Sequence, residues 1–260
     1  MDDDGFVLLT IIDMTPEDVN AITLSAREAG IPDWVRTRKA DPEALLAWEQ
    51  VRHELLHLRA TNPDALVGYP MPDPGYRHPP FQIELAAFAI DVAAALHQQF
   101  GKFVDLQVGG LSYPADPEAY ASQGPTRTPR PTIDPAAIRA ELDGRLEIRS
   151  GHTTTHGLNV TNFSDVELTV NTNGHLTADV IDPQSHRVVG GYTGMQILPL
   201  VCFRISPSAT VRIPLLVGTA SFDPHLGYAI PAGSWALGVT LNLSDGRSLD
   251  TPALPITITQ

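Results

Sequence analysis

From Ser234 to Ser244 every second residue is apolar: Trp235, Leu237, Val239, Leu241 and Leu243 point one way, and Ala236, Gly238, Thr240 and Asn242 the other. A period of two fits a half-buried β-strand and excludes a helix, whose period is 3.6. Asp245-Gly246 supplies the two positive-φ positions of a tight hairpin, so the chain reverses through Arg247–Leu249 and finishes as a strand over Leu254–Thr259. The same grammar runs upstream. Leu158 and Val160 alternate with Asn159 and Thr161, Asn162–Asp165 turns the chain, and Val166, Leu168 and Val170 alternate next. Asn173-Gly174 reads as a second hairpin leading into Leu176–Ile181, which breaks at Asp182-Pro183. Val188-Val189, a glycine-rich loop, a strand over Leu198–Ile205 and an alternating run from Val211 to Val217 follow.

Seven to nine short strands with turn chemistry every eight to twelve residues predict an antiparallel immunoglobulin-like β-sandwich over residues 145–260. Two phrases carry a resemblance to bacterial immunoglobulin-like domains of the fibronectin type III and intracellular proteinase inhibitor kind. They are Ser206-Pro207-Ser208-Ala209-Thr210, a turn feeding a strand, and Ile230-Pro231-Ala232-Gly233-Ser234-Trp235, a Pro-x-Gly turn before an aromatic-led strand. The resemblance implies the sandwich fold, with inhibition of a proteinase as one possible role, and it brings no inhibitory residue with it.

The first half follows a different grammar. Phe6–Ile12 is an apolar run of strand length, and Thr15-Pro16-Glu17-Asp18 is a helix start closed by Gly30. Asp41-Pro42-Glu43 opens a longer helix that stops near Thr61-Asn62-Pro63. A proline-rich loop over 62–80 carries Tyr69, Tyr76 and His78; a third, mostly apolar helix is expected from Phe81 to Gln99, and a strand over Val104–Val108. The whole is an α+β two-domain chain: a small helical or α/β unit over 1–113, a proline-rich linker with a short helix at Asp134-Pro135 over 114–144, and the sandwich.

Composition narrows the function. The chain carries 30 acidic and 17 basic side chains, a net charge of −13, and shows no basic patch of the kind nucleic-acid binding needs. Only Lys39 and Lys102 are lysine, a usage expected of a GC-rich bacterial genome. Met1-Asp2-Asp3-Asp4 is acidic where a secretory signal is basic, and no apolar run approaches the roughly 20 residues that span a bilayer, so a cytoplasmic protein without membrane contact is expected. Glycosylation-like triplets starting at Asn159, Asn162 and Asn242 then mark strand ends. Cys202, the one cysteine, lies in an apolar strand and reads as a small buried hydrophobe.

His53-Glu54-Leu55-Leu56-His57 resembles the H-E-x-x-H helix of zinc metallopeptidases. The resemblance implies zinc, with His53 and His57 as ligands, Glu54 as general base and a third ligand among Asp64, Asp73, His78 and Glu84. At about 100° per residue, however, Ala44, Trp48, Val51, Leu55 and Leu58 make the core stripe, and the two histidines lie roughly 170° and 150° from its centre. The leading expectation is a solvated helix face, with a zinc-dependent hydrolase as the alternative. His152 and His156, four apart on a strand, stand about 13 Å apart, too far to share a metal.

Two long loops of the second half carry apolar side chains. Gly190–Pro199 holds Tyr192, Met195, Ile197 and Leu198; Gly218–Ala229 holds Phe222, Asp223, His225 and Tyr228. Sandwiches use loops at one end for recognition, and aromatic residues with polar neighbours are what interfaces favour. The expectation is a non-catalytic adaptor holding a protein partner through these loops, with no cofactor.

Overall fold

The computed structural model describes residues 7–11, 16–30, 35–39, 42–68, 80–120, 130–194 and 199–260. The chain divides into two compact units, Met1–Ile83 with Ala94–Asp105, and Glu84–Ala93 with Leu106–Gln260. A small α/β unit and a large, mixed, strongly curled β domain are both present, as the two grammars require.

In the small unit β1 (Val7–Ile11), α1 (Pro16–Glu28) and β2 (Val35–Lys39) follow one another, with β1 and β2 parallel and Val7 opposite Val35. β2 has no counterpart in the sequence reading, because Arg36, Arg38 and Lys39 hide its alternation. The long helix α2 (Pro42–Thr61) buries Ala44, Trp48, Val51 and Leu55, the predicted stripe. Trp48 packs on Phe81 with ring centroids 4.7 Å apart.

β3 (Leu66–Gly68), β4 (Phe81–Leu85), α3 (Ile90–Phe100), β5 (Val104–Val108) and β6 (Leu111–Tyr113) come next, and the four strands form a sheet in that order. The expected third helix is therefore corrected. Phe81, Ile83 and Leu85 are buried and Gln82 and Glu84 exposed, a strand pattern that the surrounding run of alanines disguises as helix. The helix begins only at Ile90.

After the single-turn α4 (Pro117–Tyr120) the β domain runs as β7 (Ile138–Leu142), β8 (Glu147–Arg149), β9 (Thr153–Asn162), β10 (Leu168–Thr172), β11 (Leu176–Ile181), β12 (Val188–Gly191), β13 (Val201–Ile205), β14 (Thr210–Gly218), β15 (Ala220–Ser221), β16 (Gly233–Leu243), β17 (Ser248–Asp250) and β18 (Leu254–Thr259). All twelve join one sheet. The helix expected at Asp134-Pro135 is instead one turn, in which the Asp134 carboxylate accepts the Ala136 N–H, and the chain passes straight into β7. A capping aspartate before proline serves an isolated turn as well as a helix.

β16, the strand with the cleanest alternation, is the hub: it pairs with β10, β11, β17 and β18. Leu237, Val239 and Leu241 are fully buried, each contributing about 1.5–3 kcal/mol of burial. The chain reverses at Asp245-Gly246 as expected, with Asn242 opposite Ser248, but the turn is corrected: only Gly246 takes positive φ, at 87°, and the Leu243 N–H donates to Arg247 O across a three-residue loop. Most pairings are antiparallel, but β11 with β14 and β18 with β8 run parallel.

Asn173-Gly174 makes no hairpin. β10 and β11 both run antiparallel to β16, Asn171 opposite Asn242 and Ala178 opposite Val239, so residues 172–177 span what Thr240 and Leu241 span on the partner. Gly174, at φ 90° with its N–H donated to Thr172 Oγ1, lets the strand side-step without reversing. On one side of the step the strand pairs with β13, on the other with β12 and β14. Cys202 is also corrected. Alternation along β13 turns Phe203 and Ile205 inward, and Cys202 is exposed.

Candidate functional site

A groove of about 640 Å³ opens in the β domain where the chain changes strand partners. β7 pairs antiparallel with β9 up to Leu142 opposite Leu158. Gly144, at φ 88°, then bends the backbone away, and Thr257 N–H donates to Leu146 O at 3.1 Å as β8 joins β18. The groove lies between the departing end of β7 and the first half of β18. Leu142, Leu146, Trp235, Leu254, Pro255 and Ile256 line it, and Glu141 and Arg145 stand at its rim. Its volume is within the range of ligand sites.

Trp235 is half-buried, and its indole N–H donates to Pro231 O at 2.9 Å, which pins the ring against the groove. Pro255 sets the character of the β18 edge. Thr257 donates its N–H to Leu146, and Thr259 O accepts the Ser150 N–H, so alternate residues of β18 face β8, and Pro255 is the next of that set. The groove edge thus offers a carbonyl and lacks a donor. Proline is tolerated there because no ladder bond is lost, and it stops the β8 pairing from continuing.

Beside the bend, Asp143 bonds the Arg212 guanidinium and the Asn159 amide, and these hold its carboxyl below the ordinary carboxylate range. Arg212 lies across Gly157, where a Cβ would meet its guanidinium. Position 157 must stay bare for this contact.

The loop residues singled out from sequence are largely engaged in packing. Phe222 donates its N–H to Val189 O at 2.8 Å, and its ring covers Gly110. The Tyr228 hydroxyl accepts the Ala115 N–H at 2.7 Å, and its ring lies 5.7 Å from that of Tyr113. The Asp223 carboxylate accepts the His225 N–H, capping a single 3-10 turn over Pro224–Leu226, and His225 is exposed. Tyr192 is half-buried and folds over Gly194. Met195, Ile197 and Leu198 lie outside the described residues, as do Tyr69, Asp73, Tyr76 and His78.

His53 and His57 are exposed on α2, Glu54 is half-buried, and Leu55 between them is 1% exposed. Asp64 and Glu84 are exposed; among the described residues no group of three or more His, Cys, Asp or Glu side chains is placed to hold a metal. His152 stacks on Phe88 at 4.5 Å, with Nδ1 2.9 Å from Ser150 O, and His156 faces inward with Nε2 buried and without a hydrogen-bond partner.

The sequence reading passed over the groove. Pro255 inside an alternating strand was its one visible signal, since it marks a free edge; the partner change of β7 and β8 is a tertiary event.

No family model matches the chain, and no curated protein matches it. Solved structures do, over about half its length. The secreted serine protease VesC from Vibrio cholerae is 10% identical, with a TM-score of 0.26, over 47% of this chain and 23% of that one. The sporulation control protein Spo0M from Bacillus subtilis is 12% identical, with a TM-score of 0.27, over 48% of this chain and 49% of that one. A PapD-like domain of human CEP192 is 10% identical, with a TM-score of 0.23, over 52% and 95%. The chain spans about a quarter of the first of these proteins and half of the second. These are distant likenesses between β-rich domains.

Proposed function

We propose that the β domain is an immunoglobulin-like sandwich serving as a non-catalytic recognition module, and that it holds a segment of a partner protein in the groove between β7 and β18. The groove's lining carries the proposal. An apolar floor with a half-buried, pinned tryptophan and a charged rim of Glu141 and Arg145 has the make-up of an interface centre, where Trp and Arg are enriched and a rigid aromatic costs little entropy to bury against. A chain that changes strand partners at a bend, as β7 and β8 do, lets one sheet curl over its own core, and this supports the fold reading. The loops first expected to make the contact have spent Phe222 and Tyr228 on internal packing, so the contact surface moves to the groove. Since Pro255 denies the edge a donor, the partner enters by an apolar side chain and not by adding a strand.

The test is a photo-crosslinking residue at position 145 of the full chain in its host cell, with a second probe at Gln184 as control. The expected result is one discrete adduct from position 145, absent with the Gln184 probe and lost in Glu141→Arg, a change at an exposed position of the groove whose melting temperature stays close to that of the unsubstituted chain. Adducts of equal pattern from both probes would overturn the reading.

A further inference from the structure

We propose that His53 and His57 form a two-histidine chelate for a borderline divalent transition cation such as Ni²⁺, Cu²⁺ or Zn²⁺ on the outer face of α2. The two side chains stand at i and i+4, one above the other on the same face of the helix, with Cβ atoms about 6 Å apart, so both imidazoles reach one ion. Both are exposed, so an ion completes its coordination with water and no charge has to be buried. Imidazole suits these cations, and their order of affinity puts Cu²⁺ first.

The scaffold is already rigid. Trp48, Val51 and Leu55 anchor the opposite face in the core, which leaves only side-chain rotation to be lost on binding. Neighbouring groups do not compete. Glu49, one turn before His53, pairs with Arg52 at 3.5 Å, and Thr61, one turn after His57, donates its hydroxyl to the His57 carbonyl. Glu54 projects about 100° away and is half-buried, so it is outside the chelate. The assignment is independent of the groove. It also differs from the hydrolase pattern, because it needs no third protein ligand and no cleft.

The experiment is calorimetric titration of the full chain with Ni²⁺ alone, beside His53→Ala, His57→Ala, His225→Ala and Glu54→Gln variants, each checked by circular dichroism for unchanged helix content. The expected result is one Ni²⁺ per chain. Each helix variant should weaken binding by about a hundredfold, the lower end of what linking two weak ligands gains, while His225→Ala and Glu54→Gln bind as the unsubstituted chain does. Because the ion holds consecutive turns together, Ni²⁺ should also raise the melting temperature of the unsubstituted chain and not of the helix variants. No Ni²⁺ binding, equal binding by His53→Ala, or an equal loss in Glu54→Gln would each overturn the assignment.

Discussion

The ring of Phe222 occupies the space that a side chain at position 110 would need. Gly110 is therefore fixed by contact and not by backbone conformation. Gly110→Ala should destabilise the β domain by about 1–3 kcal/mol, the usual cost of overpacking. Urea unfolding of Gly110→Ala, Phe222→Ala and the double variant measures the coupling, and the alanine at 110 should cost less once the ring is gone, with a remainder set by the Ser221 carbonyl 3.0 Å from the new Cβ. Gly144 makes the contrast: a Cβ there meets nothing within 4 Å but sits at φ 88°, so Gly144→Ala should cost about 1–2 kcal/mol whatever its neighbours are.

Asn162 is 0% exposed and ties three segments together. Its amide nitrogen donates to Val166 O and Ile205 O, and its oxygen accepts from the backbone N–H and the hydroxyl of Ser164. Asn162→Ala orphans these groups and should cost about 2–4 kcal/mol. The triplet Asn162-Phe163-Ser164 reads as a glycan acceptor, yet its amide is consumed inside the fold. Expression in a glycosylating host should leave this site bare, which peptide mass mapping would check.

Pro255 withholds a donor from the open edge of β18. Pro255→Val restores it and lengthens the exposed template, so the variant should self-associate at concentrations where the unsubstituted chain does not, with little change in its own unfolding. Sedimentation velocity across a concentration series reads this directly.

The carboxyls of Asp143, Asp182 and Asp245 are all held below the ordinary value of 3.8, by Arg212, Ser185 and Arg247 respectively as the largest cause. A depressed carboxyl binds its proton less readily in the folded chain than in the unfolded one. Its contribution to stability is present above the ordinary value and lost as pH falls from there through the lowered value of the folded chain. Asp143→Asn and Arg212→Gln should each flatten the acid limb of melting temperature against pH, between about pH 5 and about pH 2. Neither should alter the limb above neutrality. Asp143 and Asp245 are exposed and Asp182 lies half-buried, so each effect is small and the triple asparagine variant gives the clearest reading.

The β domain was legible where local pattern and tertiary role coincide. β16 shows its alternation because one face is core along most of its length, and Asp245-Gly246 reverses the chain because β17 lies directly beside β16. Legibility failed where one signal serves two geometries. Asn173-Gly174 supplies a positive φ that a hairpin and a side-step use equally well, and only the partner strands decide between them. Phe81–Leu85 was lost among alanines that suit a helix. Cys202 shows that an apolar stretch does not decide which of its residues faces in; on an edge strand the outward position is open to solvent. On α2 the wheel placed His53 and His57 outside correctly, because one stripe of large apolar residues dominates the helix. The groove left almost no trace, since it exists only where β7 parts from β9 and its continuation finds β18.

That meeting also sets an order of events in synthesis. β8 is among the first strands of its domain to be made and β18 the last, yet Ile148 stands opposite Ile258, and β18 is the strand that joins β8 to β16. Until residue 259 clears the ribosome, the edge of β16 from Gly233 to Leu237 that pairs with β18, and the edge of β8 from Glu147 to Arg149, have no strand partner. The sheet cannot be completed before its closing strand is made, and unpaired strand edges of this kind are what expose an unfinished β domain to aggregation.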